Sequence, residues 1–218
     1  MAQSFPLART SFWAGLKIAE ASPSLPDARE LYRTAGGEVI TADLGARLWR
    51  GVATLAPMPP AEAEAALALI RMLNQSGRSF YASPVGHDMP VNDPGGTLLA
   101  SSAVTIASLP AGNRDLTLTG LPAGFVLAAG DYLAFAYGSS PTRYALHQLV
   151  SGATADANGL TPAFEVVPNI RPGAVVGAAV TLLHPSFKAV MVPGSVQEGR
   201  LARALRKGIS FAWQQTLR

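Results

Sequence analysis

The sequence predicts an α+β protein that is mainly β: a β-sandwich or barrel with one packed helix, carrying a small inserted β-barrel or sandwich. Two observations lead there. From Leu121 to Pro172, the runs Tyr132-Leu133-Ala134-Phe135-Ala136-Tyr137, Tyr144 to Val150 and Phe164-Glu165-Val166-Val167 are separated by Gly130-Asp131, Gly138 to Pro141 and Asn158-Gly159. Aromatic and β-branched runs bounded by Gly, Pro, Asn and Asp mark consecutive strands. Against this, a single segment, Pro60 to Gln75, carries a helical period.

The elements follow in order. Phe12, Ala14, Leu16 and Ile18 alternate with Trp13, Gly15 and Lys17, the period of a half-buried strand, which Pro23 and Pro26 end. A second extended region runs from Glu38 through Leu55 and carries Trp49 between Arg47 and Arg50, with Gly45 and Gly51 as bends or bulges. The helix comes next. Pro60 sits in its first turn, Glu62 and Glu64 lie at the positive end of its dipole, and Gly77 stops it. Its apolar stripe is Ala66, Leu69, Ile70 and Leu73. Phe80-Tyr81-Ala82 resumes an extended run.

At Pro84 the composition shifts to a breaker-rich loop, Gly86-His87-Asp88-Met89-Pro90 and Asp93-Pro94-Gly95-Gly96. About six short strands are expected between Ala103 and Leu183. After His184-Pro185, Ile209, Phe211 and Trp213 alternate with polar or small residues, a closing strand with one aromatic face. The expected division is therefore a discontinuous unit, residues 1–84 and 187–218, with a β-rich unit, 85–186, inserted at exposed loops. One continuous domain is the alternative.

Composition narrows function. The 218 residues are 49% hydrophobic and only 14% charged, where about 25% charged is usual. Such a surface suits coverage by other subunits, although an Ala- and Gly-rich composition alone gives the same figure. The net charge of +3 gathers at Arg200, Arg203, Arg206, Lys207 and Arg218. Nucleic-acid binding would need interleaved aromatics or a known motif, and neither is present. The absence of cysteine removes thiolate catalysis, disulfides and Cys-ligated metals. No run of about 18 apolar residues occurs, and Met1 to Pro6 lack the order of a signal peptide, so synthesis and assembly in a cytoplasm are expected, with no membrane partner.

Catalytic and ligand motifs are weak. His87, His147 and His184 lie in three segments without metal-ligand spacing; His87 with Asp88 and Asp93 reads as turn chemistry. Thr154, Asp156, Asn158, Gly159 and Glu165 approximate a calcium loop, but Thr replaces the first Asp, Pro162 interrupts it and strands flank it, so Asn158-Gly159 reads as a hairpin turn. Phosphate loops and the nucleophile elbow are missing. Asp131, Asp156 and Glu165, the carboxylates a hydrolase would pair, each have a local turn or strand reading. Tyr132, Phe135, Tyr137 and Tyr144 could stack on sugars or bases, but core packing accounts for them. No catalytic, cofactor or metal residue is assigned.

Several fragments together resemble one family. Phe5-Pro6, Arg47-Leu48-Trp49, Leu73-Asn74-Gln75-Ser76-Gly77 before Phe80, and Asp93-Pro94-Gly95-Gly96 are similar to tail proteins of tailed phages, prophages and gene transfer agents of alphaproteobacteria. So are Gly120-Leu121-Pro122-Ala123-Gly124, Ala129-Gly130-Asp131-Tyr132, Tyr144-Ala145-Leu146-His147, Ala155-Asp156-Ala157-Asn158-Gly159 and Pro168-Asn169-Ile170-Arg171-Pro172. The resemblance implies a distal tail or tail-tip protein of a long-tailed phage: a structural, non-enzymatic ring, commonly hexameric, that joins the tail tube to the hub and baseplate of the virion. The implied partners are copies of itself, the tube protein and the hub, without cofactors. Arg200, Arg203 and Arg206 are the expected subunit or inter-ring contact. A carbohydrate-binding accessory module, or another ring such as hub or tube terminator, is the rival reading.

Overall fold

The computed structural model describes residues 3–218; Met1 and Ala2, at the head of the segment read for a signal peptide, lie outside them. In chain order the strands are β1 (Ile18–Ser24), β2 (Arg29–Arg33), β3 (Val39–Asp43) and β4 (Arg50–Leu55). Helix α1 (Pro60–Leu73) follows, then β5 (Phe80–Ala82), β6 (Thr105–Ser108), β7 (Asp115–Thr119), β8 (Val126–Leu127), β9 (Tyr132–Tyr137) and β10 (Arg143–Leu149). The last are β11 (Ala153–Thr154), β12 (Phe164–Val167), β13 (Val180–Thr181), β14 (Phe187–Met191), β15 (Gln197–Ala202) and β16 (Leu205–Gln215). The protein is mainly β, as the strand punctuation predicts.

Two six-stranded sheets dominate. The first has the order β1-β4-β16-β14-β5, with β15 paired to β16 beyond the end of β14. The second runs β13-β9-β10-β12-β7-β6. It nearly closes into a barrel, because Val180 N donates to Val104 O (2.9 Å) and Ile106 N to Ala178 O (3.0 Å) across the gap. All strands of the first sheet come from residues 18–82 and 187–215, and those of the second from 105–181. Eight strands, two of them the short β8–β11 pair, occupy the stretch where about six were expected.

Aromatic residues build the first core. Ile209, Phe211 and Trp213 project from one face of β16, as their alternation predicts, and meet Phe12, Trp13, Phe80 and Phe187. Trp13 stacks on Phe80 at 5.8 Å and meets Trp213 edge-on at 5.8 Å. Gly51 is required opposite them: a Cβ there would lie 2.7 Å from the Trp213 ring and 2.8 Å from Ser22 O. Gly51 is therefore an in-register strand residue under a tryptophan, and the register shift falls instead in β1, between Ile18 and Glu20.

Four expected features are corrected. Phe12 to Ile18 is not a strand; two 3-10 turns, Arg9–Ser11 and Trp13–Gly15, precede β1. Phe12 and Trp13 are adjacent yet 1% and 3% exposed. A strand would send neighbours to opposite faces, whereas tight turns bring both indole and phenyl into one core. β1 then continues through Pro23, which its edge position tolerates. The Glu38–Leu55 region is two separate strands, β3 and β4. Helix α1 does lie on the first sheet, but its buried stripe is Ala63, Leu67, Ile70 and Leu73; Ala66 and Leu69 lie half-buried at its margin.

The Asn158-Gly159 turn is also different from a hairpin. β11 pairs with β8, and β12 with β10 and β7, so the strands on either side of the turn are not partners. Asp156 closes the turn by accepting from Asn158 N (2.7 Å) and Leu160 N (2.9 Å), an Asx-type turn. The turn docks on Leu121, whose N–H donates to Gly159 O at 3.3 Å.

The two sheets meet at a polar seam. Trp49 Nε1 donates to Leu146 O (2.9 Å), Gln215 Nε2 donates to Tyr144 O (2.9 Å), and Trp49 N donates to Gln215 Oε1 (3.2 Å). Tyr81 packs edge-on against Tyr144 at 5.0 Å, and Ala134 and Leu146 of the second sheet join the first core. Burial, with Tyr144 beside it, pushes the Tyr81 hydroxyl pKa up.

Candidate functional site

The residues with chemical potential are engaged in holding loops. Asp131, 0% exposed, accepts from Ala128 N (2.8 Å) and Val91 N (3.0 Å), and His87 Nε2 lies 3.4 Å away. Asp93 accepts from Thr97 N (2.9 Å) and Leu99 N (3.0 Å). Thus Asp131 ties the breaker-rich loop after Pro84 to the start of β9, and Asp93 closes the loop on itself. Asp88 binds His184 Nδ1 at 2.7 Å and lies 3.7 Å from Arg9. The three members of the His87, Asp88 and Asp93 set therefore have three different partners.

His147 is buried in the second sheet, stacked on Phe135 at 5.3 Å, and its Nδ1–H donates to Pro168 O at 2.7 Å. Its Nε2 has no hydrogen-bond partner in the protein. Burial, with Arg171 nearby, lowers its pKa to about 4, against the opposing pull of the Pro168 carbonyl. A neutral imidazole with one nitrogen on a backbone carbonyl is a structural group here.

The calcium-like positions do not converge. Thr154 lies in β11, Glu165 in β12, and Asp156 points into its own turn. Among the described residues no group of three or more His, Asp or Glu side chains could hold a metal ion. Among the described residues no helix is long and apolar enough to cross a membrane. The proposed stacking platform is interior: Phe135 and Tyr137 belong to the second core, Tyr132 packs on Trp49 at 5.8 Å, and Tyr144 on Tyr81.

A cleft of about 490 Å³ separates the loop Pro168 to Pro172 from Asp27, Arg29, Asp43 and Arg47. Its three arginines are held within the chain. Arg29 binds Asp27 at 2.8 Å, Arg47 lies 3.7 Å from Asp27, and Arg171 donates to Arg47 O at 2.6 Å.

What remains are two exposed β-ribbons, of which the second is fixed along one edge by the backbone bonds of Arg206 to Met58 (2.9 and 3.1 Å). One is β2–β3, a two-stranded sheet with every residue exposed. Its register, Glu30↔Ala42, Leu31↔Thr41 and Tyr32↔Ile40, places Glu30, Tyr32, Ile40 and Ala42 on one face, with Thr34 and Glu38 continuing it at the tip. The other is the outer half of β15–β16, which carries the basic cluster. Its register is Arg200↔Lys207, Leu201↔Arg206 and Ala202↔Leu205, with Arg203 at the turn. Arg206 faces α1, binding Glu64 at 2.6 Å and donating to Glu198 O at 3.2 Å. Glu198 in turn binds Arg71 at 2.6 Å, and that guanidinium lowers its carboxyl pKa. Arg200 and Arg203 are exposed. The cluster read as one patch in sequence thus divides into two exposed cations and one anchored to the helix.

The β2–β3 ribbon was not foreseen. Its signal was present as Arg29-Glu30-Leu31-Tyr32-Arg33 and Val39-Ile40-Thr41 around Gly36-Gly37, a hairpin pattern. No family model matches this chain, and no curated protein matches it either.

Proposed function

We propose that this chain is a structural subunit of the tail tip of a long-tailed phage or phage-like particle. It is a distal tail protein whose copies close into a ring, of six in the family it resembles, between the tail tube and the hub. It is assembled in the host cytoplasm, carried in the virion, and works by shape and self-association rather than by catalysis. One observation carries this reading. The buried carboxylates and the imidazoles are engaged in loops and ion pairs, while two β-ribbons carry exposed apolar residues and charge, and β2, β3 and β15 each present an unpaired outer edge. Unpaired ribbons are where β-rich subunits join.

The test is direct. The purified full chain, imaged by negative stain and weighed by light scattering, is expected to form rings with a central hole. A monomer that persists at the highest soluble concentration overturns the proposal.

A further inference from the structure

The two ribbons are complementary. The β2–β3 face has an apolar centre, Tyr32 and Ile40, each 52% exposed, between Glu30 on one side and Glu38 at the tip; it carries no cation. The face of the β15–β16 hairpin opposite Arg206 has half-buried Ala202 and exposed Leu205 at its centre, with exposed Arg200 and Lys207 beside them. It carries no anion beyond the glycine pair Gly199 and Gly208, since Glu198 is held by Arg71. On the other face Arg206 is tied to Glu64 on α1, while its cross-strand neighbour Leu201 is exposed. Among the described residues, β2 and β3 pair only with each other and β15 only with β16.

Their placement prevents one copy from satisfying itself. The β2–β3 ribbon lies between Ser24 and Arg50, which pair with each other; Arg50 also pairs with Gln214 at one end of β16. The basic hairpin turns at Leu205, the other end. At about 3.3 Å per residue, the two lie ~30 Å apart along that strand. A lone two-stranded ribbon is at best marginally stable in water, so a partner is required to hold it.

We infer that the partner is a second copy of this chain: the acidic, Tyr32–Ile40 face of the β2–β3 ribbon of one subunit lies against the basic, Ala202–Leu205 face of the β15–β16 hairpin of the next. This rests on the self-assembling reading above and names its contact. Different surfaces meet at opposite ends of the subunit, so the interface is heterologous and repeats head to tail, closing into a ring when the rotation permits.

Two full-chain variants test it, both at exposed positions. In one, Glu30→Lys with Glu38→Lys makes the ribbon basic; in the other, Arg200→Glu with Lys207→Glu makes the hairpin acidic. Each alone places like charges at every contact and is expected to weaken self-association in sedimentation velocity by ~tenfold or more, with a native circular dichroism spectrum. Mixed in equal amounts, every contact is again between opposite charges, so assembly is expected to return. If both variants assemble as the unmodified chain does, or if mixing restores nothing, the ribbon contact is overturned while the ring reading stands. If the unmodified chain does not associate, both fall.

Discussion

Replacing Gly159 by alanine tests the docked Asx turn more sharply than any other single change. Gly159 has φ +75°, and a Cβ there would overlap the Leu121 carbonyl oxygen and lie 3.2 Å from Leu121 N. A left-handed alanine costs about 1–2 kcal/mol. The overlap with a backbone atom cannot be relieved by a rotamer change, so the turn must shift and give up the Leu121–Gly159 hydrogen bond, worth about 1 kcal/mol. The sum is about 2–3 kcal/mol, or a fall in Tm of ~4–12 °C for a chain of this size. Gly124 supplies the control, with φ +72° and no atom within 4 Å of an added Cβ. Gly124→Ala carries the backbone term alone and is expected to lose about 1–2 kcal/mol. Thermal unfolding followed by circular dichroism, with both variants at equal concentration, measures the difference. Equal Tm values for the two variants would refute the close approach of the turn to Leu121.

Two further outcomes follow from the seam and the buried imidazole. Gln215→Leu removes both hydrogen bonds of a buried amide and leaves Trp49 N and Tyr144 O unpaired; a loss of about 2–4 kcal/mol in urea unfolding is expected, and an unchanged midpoint would show that the seam does not depend on this amide. His147, with its pKa lowered to about 4 from 6.5, is neutral when folded, whereas the unfolded chain takes up a proton below pH 6.5. Stability therefore falls as pH drops from 6.5 to 4, by about 3 kcal/mol from this group. His147→Gln should flatten that window, and an identical pH profile for the variant would rule His147 out as its source.

The legible parts of the fold were those where side-chain period and backbone agree. The runs Tyr132–Tyr137 and Phe164–Val167 are strands with the expected bounds, because Phe164–Val167 alternates over one buried face while Tyr132–Tyr137, with Ala134 in the first core and Phe135 in the second, is apolar on both. Phe12 and Trp13 misled because two adjacent aromatics must enter the same core, which overrides any period of two. The helix stripe shifted because Ala63 is small enough to let α1 sit close at its first turn, a packing fact beyond the reach of periodicity. Asn158-Gly159 has hairpin chemistry, but pairing partners are decided at long range, and Leu121 rather than a neighbouring strand receives the turn. In the same way, sequence placed the basic residues at 200–207 together but could not tell that Glu64, more than a hundred residues earlier, takes Arg206 for itself.

The position of β16 sets an order in time. It lies between β4 and β14 at the centre of the first sheet, yet it is made from residues 205–215, after every strand of the second. A nascent chain that has released residue 200 can close its second sheet, while the first still lacks its middle and the basic hairpin has only one strand. Domains generally fold as units during synthesis. The β2–β3 ribbon, which pairs only with itself, can close once residue 43 is out, whereas the basic hairpin is completed only with the last strand of the first sheet.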